Sequence, residues 1–393
     1  MVERAGSAPV MERPRAGGAA RRIALVAGLL SLALIACGGD DQARVEPAVD
    51  QGTWRKLAEA PGATRRRPQE LTAEKIGAAV VFIAGIDYGE TSVGGLRYDL
   101  EAGRWRPLRR APLSWRVGYA AAAVGDQIVV WGGTSNRGNH ADGARYDVGD
   151  DRWRRLAASP LQDRYDHSAV STGDEVIFFG GAGTPSGASS RTGAVYTPAG
   201  DSWRRIPRAP LRGRRRHVAV WTGDEMIVWG GYARERGGVP RGLFDDGAAF
   251  DPISREWRPI ADAPVRAGEH TFGLWLGDRL FVFNGSRAAL YDPGADEWRL
   301  AAAPPLPENG VYEGAWTGER VLVWGAGEER GSGARGAAYD PAREAWTPLP
   351  RAPLSERGHH VALWTGRGLL VWGGCCSERG VVDGAHYFPA AGG

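Results

Sequence analysis

The sequence predicts an all-β protein, a seven-bladed β-propeller whose ring is closed by the N-terminal strand completing the last blade. Three observations support this prediction: a composition that disfavours helices, a strand pattern that recurs seven times, and chain ends that each lack what the other supplies. Glycine accounts for 58 of the 393 residues and proline for 25, and these two are the poorest helix formers. Such a chain suits many short strands joined by tight turns.

An apolar run near the N-terminus predicts an export signal over residues 1–36. Residues 23–36 carry no charge, follow two arginines and precede Cys37. A membrane-spanning helix needs about 20 apolar residues, so this shorter run is typical of a signal peptide. Its end, Leu-Ile-Ala followed by Cys37, resembles the lipobox of bacterial lipoproteins. The resemblance implies cleavage before Cys37 and a diacylglycerol on its thiol; the alternative is an ordinary signal peptide or short anchor with an incidental cysteine.

The expected location is therefore outside the cytoplasm, with the protein lipid-anchored to the cell membrane through Cys37. Residues 37–53 are polar and lack apolar periodicity, which predicts a flexible tether between the lipid and the folded body.

The net charge of the chain belongs to the predicted signal. Residues 1–36 hold five arginines and two glutamates, which equals the formal charge of +3 of the whole chain. The remaining chain has 44 basic and 44 acidic residues. Its charge balance gives no reason to expect a nucleic-acid partner.

Two landmarks recur seven times at a spacing of about 48 residues, a period that indicates a repeat architecture. The first is an apolar run that ends in a pair of small residues. The second is an aromatic residue that in six copies is followed, seven positions later, by a tryptophan. Two strands joined by one recurrent turn would produce this offset. The runs end at Gly85, Gly133, Gly181, Gly231, Gly285, Ala326 and Gly374, and the aromatic residues are Tyr98, Tyr146, Tyr196, Phe250, Tyr291, Tyr339 and Tyr387.

The two ends of the repeat region complement each other. Trp54 has the sequence context of the tryptophan strand but no aromatic landmark before it, whereas no tryptophan strand follows Tyr387. A ring in which the N-terminal strand completes the last blade explains both, and closure removes exposed sheet edges. The propeller is predicted to span residues 54–388, followed by a tail at residues 389–393.

Over residues 54–388 the pattern resembles the kelch repeat, through its Gly-Gly doublets, its aromatic residue with Asp and Pro, and its spaced tryptophan. Ala84, Asn284 and Ala326 replace doublet glycines, so the backbone is expected to differ there. The resemblance implies a seven-bladed propeller like the central domain of galactose oxidase. Kelch propellers also include a sialic-acid mutarotase.

One face of the predicted ring is expected to bind partners. If each blade has four antiparallel strands, A to D, then the tight A–B and C–D turns share one face, and the longer B–C and D–A connections share the other. Binding residues concentrate on loops held by a rigid scaffold, which favours the B–C and D–A face. Candidate ligand-binding residues lie there, around the start of strand A: Arg116, Arg164, Arg214, Arg357, Glu269 and Glu313.

The four arginines have two interpretations. At a channel mouth they are suited to hold a carboxylate or phosphate through bidentate hydrogen bonds. Alternatively, they are consensus residues of the repeat, paired with acids of neighbouring blades.

Histidine and cysteine positions bear on metal chemistry. His167, His217, His270 and His360 recur at one repeat position, which favours packing over metal ligation. Neither a metal site nor a cofactor is expected, because metal-ligand spacings and phosphate-binding loops are missing from the sequence.

Cys375 and Cys376 are adjacent, and two thiols of an exported protein tend to oxidise. A strained vicinal disulfide, a bond to another chain, and soft-metal or redox chemistry are the interpretations left open.

Two functions follow. The first, which the sequence favours, is a monomeric, non-enzymatic module that binds a protein or glycan of the cell envelope through its B–C and D–A face. The alternative is a carbohydrate-active enzyme of the sialic-acid mutarotase type, which holds a sugar acid with Arg164 or Arg214 and uses Glu269 or Glu313 as the acid–base residue. This enzymatic alternative rests on analogy of fold alone.

Overall fold

Seven antiparallel sheets of four main strands follow one another around the molecule, one for each repeat. The structure is a computed structural model, and it describes residues 49–61, 68–86, 93–183, 187–234, 240–327, 333–375 and 381–390. These residues belong to one compact unit, Pro47–Gly393. The predicted signal peptide, Cys37, most of the tether and Cys376 lie outside the described residues. Within the described ranges, none of the helices has the length and apolar character needed to cross a membrane.

The strands confirm the predicted architecture of seven blades. Blade 1 is formed by β2 to β5, blade 2 by β6, β7, β9 and β10, blade 3 by β11 to β14, blade 4 by β15, β16, β19 and β20, blade 5 by β21 to β24, blade 6 by β25 to β28, and blade 7 by β29 to β31 with β1. In chain order the strands are β1 (Thr53–Lys56), β2 (Pro68–Ile76), β3 (Ala79–Ile86), β4 (Gly94–Asp99), β5 (Arg104–Pro107), β6 (Val117–Val124), β7 (Gln127–Ser135), β8 (Gly138–Asn139), β9 (Gly143–Asp147), β10 (Arg152–Arg155), β11 (Tyr165–Ser171), β12 (Val176–Ala182), β13 (Gly193–Thr197), β14 (Ser202–Arg205), β15 (Val218–Trp221), β16 (Met226–Trp229), β17 (Tyr232–Arg234), β18 (Pro240–Leu243), β19 (Gly247–Asp251), β20 (Glu256–Ile260), β21 (Phe272–Trp275), β22 (Leu280–Phe283), β23 (Ala288–Asp292), β24 (Glu297–Leu300), β25 (Val311–Trp316), β26 (Val321–Ala326), β27 (Ala334–Asp340), β28 (Ala345–Pro348), β29 (Val361–Trp364), β30 (Leu369–Trp372) and β31 (Gly384–Phe388).

Four short elements supplement the blades in the part of the chain that the structure describes. β8 pairs with β7, and β17 and β18 form a separate hairpin in the B–C connection of blade 4. A 3₁₀ turn, Pro198–Gly200, joins strands C and D of blade 3.

The ring closes through the N-terminal strand, as predicted. β1 pairs with β31 in the register that sets Trp54 opposite Tyr387. The innermost strands of successive blades contact each other around the whole ring, including β29 of blade 7 with β2 of blade 1. Every sheet is therefore packed between two others, and the seven-residue offset of the sequence corresponds to directly opposed residues of strands C and D.

The repeat tryptophans join neighbouring blades. Each indole packs on the aromatic residue opposite it, as in the pair Tyr98 and Trp105, whose ring centroids are 4.7 Å apart. Each indole N–H also donates to a carbonyl in the D–A connection of the preceding blade, at 2.7–3.0 Å. The seven donors and acceptors are Trp54 and Pro350, Trp105 and Ala58, Trp153 and Arg109, Trp203 and Ala157, Trp257 and Pro207, Trp298 and Ala261, and Trp346 and Ala302.

The glycine doublets make room for the next blade. Gly132 has a φ of +73°, and a Cβ there would lie 2.6 Å from Cε1 of His167 in blade 3. Gly180 has the same φ and relation to His217 in blade 4, at 2.5 Å. Backbone conformation and lack of space both require glycine at these positions.

A ring of small residues surrounds the axis. One register position on the innermost strand holds alanine or glycine in all seven blades, and all seven residues are partly exposed. They are Ala73, Ala121, Ala169, Ala219, Gly273, Gly314 and Ala362. We call the space they surround the central channel.

Candidate functional site at the mouth of the channel

The four predicted arginines lie inside the blades. Their side chains are between 0% and 4% exposed. Each guanidinium donates through Nη1 to the first doublet glycine and to the residue before strand C, and through Nε to a carbonyl two residues upstream. The Nη1 acceptors are the carbonyls of Gly132 and Asp142 for Arg116 (both 3.2 Å), Gly180 and Thr192 for Arg164 (2.9 and 3.0 Å), Gly230 and Asp246 for Arg214 (both 3.0 Å), and Gly373 and Asp383 for Arg357 (3.4 and 3.2 Å).

This geometry favours the interpretation of these arginines as consensus residues of the repeat, with one correction. Their acidic partners belong to the same blade and not to a neighbouring one, since Asp142, Asp246 and Asp383 each precede strand C of the arginine's own sheet, at 2.7–2.8 Å. Arg164 bonds to the Thr192 hydroxyl instead, at 3.2 Å. The guanidinium groups therefore satisfy carbonyls that would otherwise be buried without partners.

A different set of polar residues meets at the channel mouth. These residues lie within three positions before the innermost strands of blades 4, 5 and 7, or at the second position of that strand in blade 3. We call them the mouth cluster: Asp166, Arg216, Glu269, His270 and His359. Arg216 joins three blades, because its Nη1 donates to Oε1 of Glu269 at 2.9 Å and its Nε lies 3.3 Å from Oδ2 of Asp166. The rings of His270 and His359 meet edge to face, with centroids 5.0 Å apart.

Burial and neighbouring charges disfavour protonation of His359. Desolvation by surrounding protein atoms, then His270 and Arg216, lower the pKa of His359, and the Glu269 carboxylate opposes them. The lowered pKa favours the neutral imidazole of His359, whose ring nitrogens exchange donor and acceptor roles by tautomer.

A buried arginine, Arg215, contacts the mouth cluster from inside the blades. Arg215 is 2% exposed, and its guanidinium lies 5.2 and 5.0 Å from the ring centroids of Tyr165 and Tyr232. Its Nη1 donates to the Tyr165 hydroxyl at 2.9 Å and lies 3.5 Å from Oδ2 of Asp166. The Asp166 carboxylate therefore contacts two guanidinium groups, and its side chain is only 8% exposed.

The backbone at the mouth is unusual. Asp166, Arg216 and His359 have φ values of +54°, +48° and +51°, in the left-handed region that non-glycine residues seldom adopt. Such conformations are often found at functional sites, where surrounding structure maintains them.

Among the predicted candidates, only Glu269 belongs to the mouth cluster. Glu313 lies within β25, and its carboxyl makes neither a hydrogen bond nor an ion pair to the described residues. Burial raises the pKa of Glu313 to about 8, and that of Glu74 on β2 to about 7.

The histidines divide differently from the prediction. His167, His217 and His360 share one register position and pack on aromatic rings of the preceding blade at 5.0–5.5 Å. In blade 5 that position is occupied by Thr271, which leaves His270 one residue earlier, at the mouth. The prediction assigned His270 to this register position, which in the structure belongs to the next residue, Thr271.

The predicted cysteine pair is only half described. The backbones of Cys375 and Gly358 exchange two hydrogen bonds of 2.9 Å, directly beside His359. Cys376 lies outside the described residues, so the vicinal disulfide stays a prediction. Within the described part of the chain, groups of three or more His, Cys, Asp or Glu residues arranged to hold a metal ion do not occur.

Comparison with known proteins identifies the family. The Attractin/LZTR1 β-propeller family model matches residues 80–297, which is more than half of the chain. The chain belongs to the Attractin/LZTR1 β-propeller family. The matched segment contains four residues of the mouth cluster of this family member, and His359 lies beyond it.

A solved structure shares the fold of this Attractin/LZTR1-type propeller. It is a fungal alcohol oxidase of the AA5 family in complex with copper, with 15% sequence identity and a TM-score of 0.63 over 86% of this chain and 76% of that chain. At this identity the likeness shows the fold alone. None of the curated proteins matches the sequence. Together, the structure, the family model and this likeness show a kelch-type propeller.

Proposed function

We propose that the protein is a binding module that recognises a protein or glycan of the cell envelope at the mouth of its central channel. One observation carries the proposal: side chains from blades 3, 4, 5 and 7 meet there and present donors and acceptors together. Arg216 and Glu269 keep 34% and 57% of their side chains exposed. A polar ligand can therefore reach both.

The chemistry of the mouth suits a ligand rich in hydroxyl or amide groups. Arg216 offers guanidinium donors, Glu269 offers carboxylate acceptors, and the neutral imidazole of His359 can do either. Asp166, which is itself held by the buried Arg215, fixes the Arg216 guanidinium, which reduces the ordering cost of binding.

We further propose that the propeller is exported and lipid-anchored through Cys37, as a monomer facing away from the cytoplasm. The support is the order of charge, apolar run and cysteine in the sequence. Palmitate labelling of the expressed protein tests it. Label that disappears in Cys37→Ser supports the anchor, and label that persists in this variant excludes it.

A glycan array and a screen of envelope proteins with the detergent-solubilised full chain test the binding role. We expect a ligand that raises the melting temperature, and loss of that effect in Arg216→Ala and Glu269→Gln. The matched control is Glu101→Gln, an exposed glutamate in a C–D turn on the opposite face. A ligand response that survives both mouth variants would show that binding occurs elsewhere.

The enzymatic alternative has weaker support. Arg164 and Arg214, the arginines suited to hold a sugar acid, are buried with their guanidinium groups bonded to the blade. Glu313 retains a protonatable carboxyl. Anomer exchange of a sialic acid followed by NMR tests this role, and a rate equal to that in buffer rules it out.

A further inference from the structure

A cavity of about 900 Å³ lies on the face opposite the mouth, between blades 5 and 6. Its walls come from the A–B turns of both blades, from Arg299 of blade 5 and from the C–D turn of blade 6. Four arginines line it: Arg279, Arg299, Arg320 and Arg343. We call it the blade 5/6 cavity. Its volume falls in the range of small-molecule sites.

Comparison among the repeats shows which residue makes the A–B turns at this cavity more basic than those of blades 3 and 4. In blades 3 and 4 the residue that closes the A–B turn is a glutamate, Glu175 or Glu225. Each glutamate forms an ion pair with the arginine that follows the strand D tryptophan, Arg204 or Arg258. In blades 5 and 6 the turn residue is instead Arg279 or Arg320. The acid that pairs with the strand D arginine in blades 3 and 4 is therefore replaced by an arginine in blade 5, where Arg299 follows Trp298.

The replacement leaves donors without partners. Arg299, the strand D arginine of blade 5, contacts Glu344 of blade 6 through Nη1. Arg279 bonds to Asp278 through Nε and Nη2, which leaves its Nη1 without a bond to the described residues. Arg320 has a single side-chain contact, 3.5 Å from Asp50. Each guanidinium has five N–H donors, so most of this donor capacity is available.

An aromatic wall accompanies the arginines. Trp316, at the end of β25, lines the cavity and is partly exposed. Its indole N–H makes no hydrogen bond to the described residues, and part of its ring packs against the apolar core between blades 5 and 6. An indole offers a face for the C–H surface of a sugar ring and a donor at its edge.

We propose that the blade 5/6 cavity binds an acidic oligosaccharide, with sugar carboxylates paired to Arg279 and Arg299 and a sugar ring against Trp316. The lining also contains Asp278, Glu319, Asp340 and Glu344. These four acids balance the four arginines, which disfavours a dense polyanion and favours widely spaced carboxylates. The site is separate from the mouth and does not depend on the function proposed for it.

Calorimetric titration of the full chain with trigalacturonate tests the proposal, with neutral galactotriose and inorganic phosphate as comparison probes. We expect binding of trigalacturonate, and binding of galactotriose at least about tenfold weaker, the factor that 1.4 kcal/mol represents. Equal binding of the neutral sugar, or no binding of either, overturns the proposal. If phosphate binds as tightly as trigalacturonate, the cavity is an anion site only.

Two variants locate the site. Arg279→Glu restores the charge found in blade 4, where Glu225 pairs with Arg258, so the protein should fold and lose at least tenfold in affinity. Arg299→Gln should weaken binding similarly, whereas Arg154→Gln, at the same repeat position of blade 2 and exposed, should not. Unchanged affinity in both cavity variants overturns the assignment. The mouth variants Arg216→Ala and Glu269→Gln should leave trigalacturonate binding intact, which separates the two proposals.

Discussion

Gly132 illustrates how single residues set the fit between blades. Gly132→Ala places a Cβ 2.6 Å from the His167 ring and keeps a φ of +73°, so we expect a loss of about 2–4 kcal/mol in the free energy of unfolding. Gly125→Ala is the matched control, because Gly125 has a φ of +57° with open space around it. It should cost only about 1 kcal/mol. Equal losses in urea denaturation would contradict the packing argument.

Glu313 makes the stability of the fold depend on pH. Its folded pKa of about 8 lies above the ordinary 4.5, so its contribution to stability is fully present below pH 4.5 and is lost as the pH rises through 8. Glu313→Gln cannot ionise. It should therefore raise the melting temperature at pH 8.5 by about 1–3 °C and change it little at pH 4. The exposed variant Glu101→Gln should show neither effect, and an alkaline gain in that control would remove the assignment to Glu313.

At the scale of elements, the closing strand β1 can be tested through its tryptophan. Trp54 packs on Tyr387 at 5.1 Å and donates to Pro350 at 2.9 Å, as Trp105 does with Tyr98 and Ala58 in a blade of continuous sequence. We expect Trp54→Ala and Trp105→Ala each to cost about 3 kcal/mol of unfolding free energy.

Deleting residues 38–60 should be more severe than Trp54→Ala, because it removes the whole strand and exposes the edge of β31 to aggregation. Light scattering during heating measures the aggregation that this exposed edge would cause. An unchanged melting temperature after the deletion would show that β1 does not close the ring.

The connection before β15 shows why the sequence alone does not identify the residues of the mouth cluster. Arg214 and Arg216 are two residues apart, yet the first is buried in its blade and the second reaches the mouth. Both lie before β15, and residues two apart in an extended chain point the same way. The left-handed backbone at Arg216, with a φ of +48°, breaks that alternation. The sequence contains both arginines but does not show which one bends inward.

At the scale of the whole molecule, buried histidines around the ring predict the pH of greatest stability. Burial lowers the pKa of His217 and His360 to about 3 and of His386 to about 4, and lowers that of His167 well below 6.5. These groups stabilise the fold above pH 6.5, and that contribution is lost as the pH falls, by up to about 1.4 kcal/mol per group and pH unit.

Glu74 and Glu313 act in the opposite direction, because their raised pKa values favour the fold at low pH. Below pH 6.5 the four histidines outweigh the two glutamates, and between pH 6.5 and 8 the two glutamates dominate among these six groups. Melting temperatures measured from pH 4.5 to 8.5 should therefore pass through a maximum near pH 6.5. A monotonic rise up to pH 8.5 would contradict this balance.

The repeat pattern alone determined the number of blades, the closure of the ring and the pairing of aromatic residues with tryptophans. These follow from periodic apolar runs and fixed offsets, which are local properties of a chain. Tertiary structure decided which polar residues meet. His270 and His359 are 89 positions apart in the sequence and touch only because blades 5 and 7 converge on the axis. The blade 5/6 cavity likewise exists only where two blades pack side by side, since the arginines and the tryptophan of its walls come from different repeats.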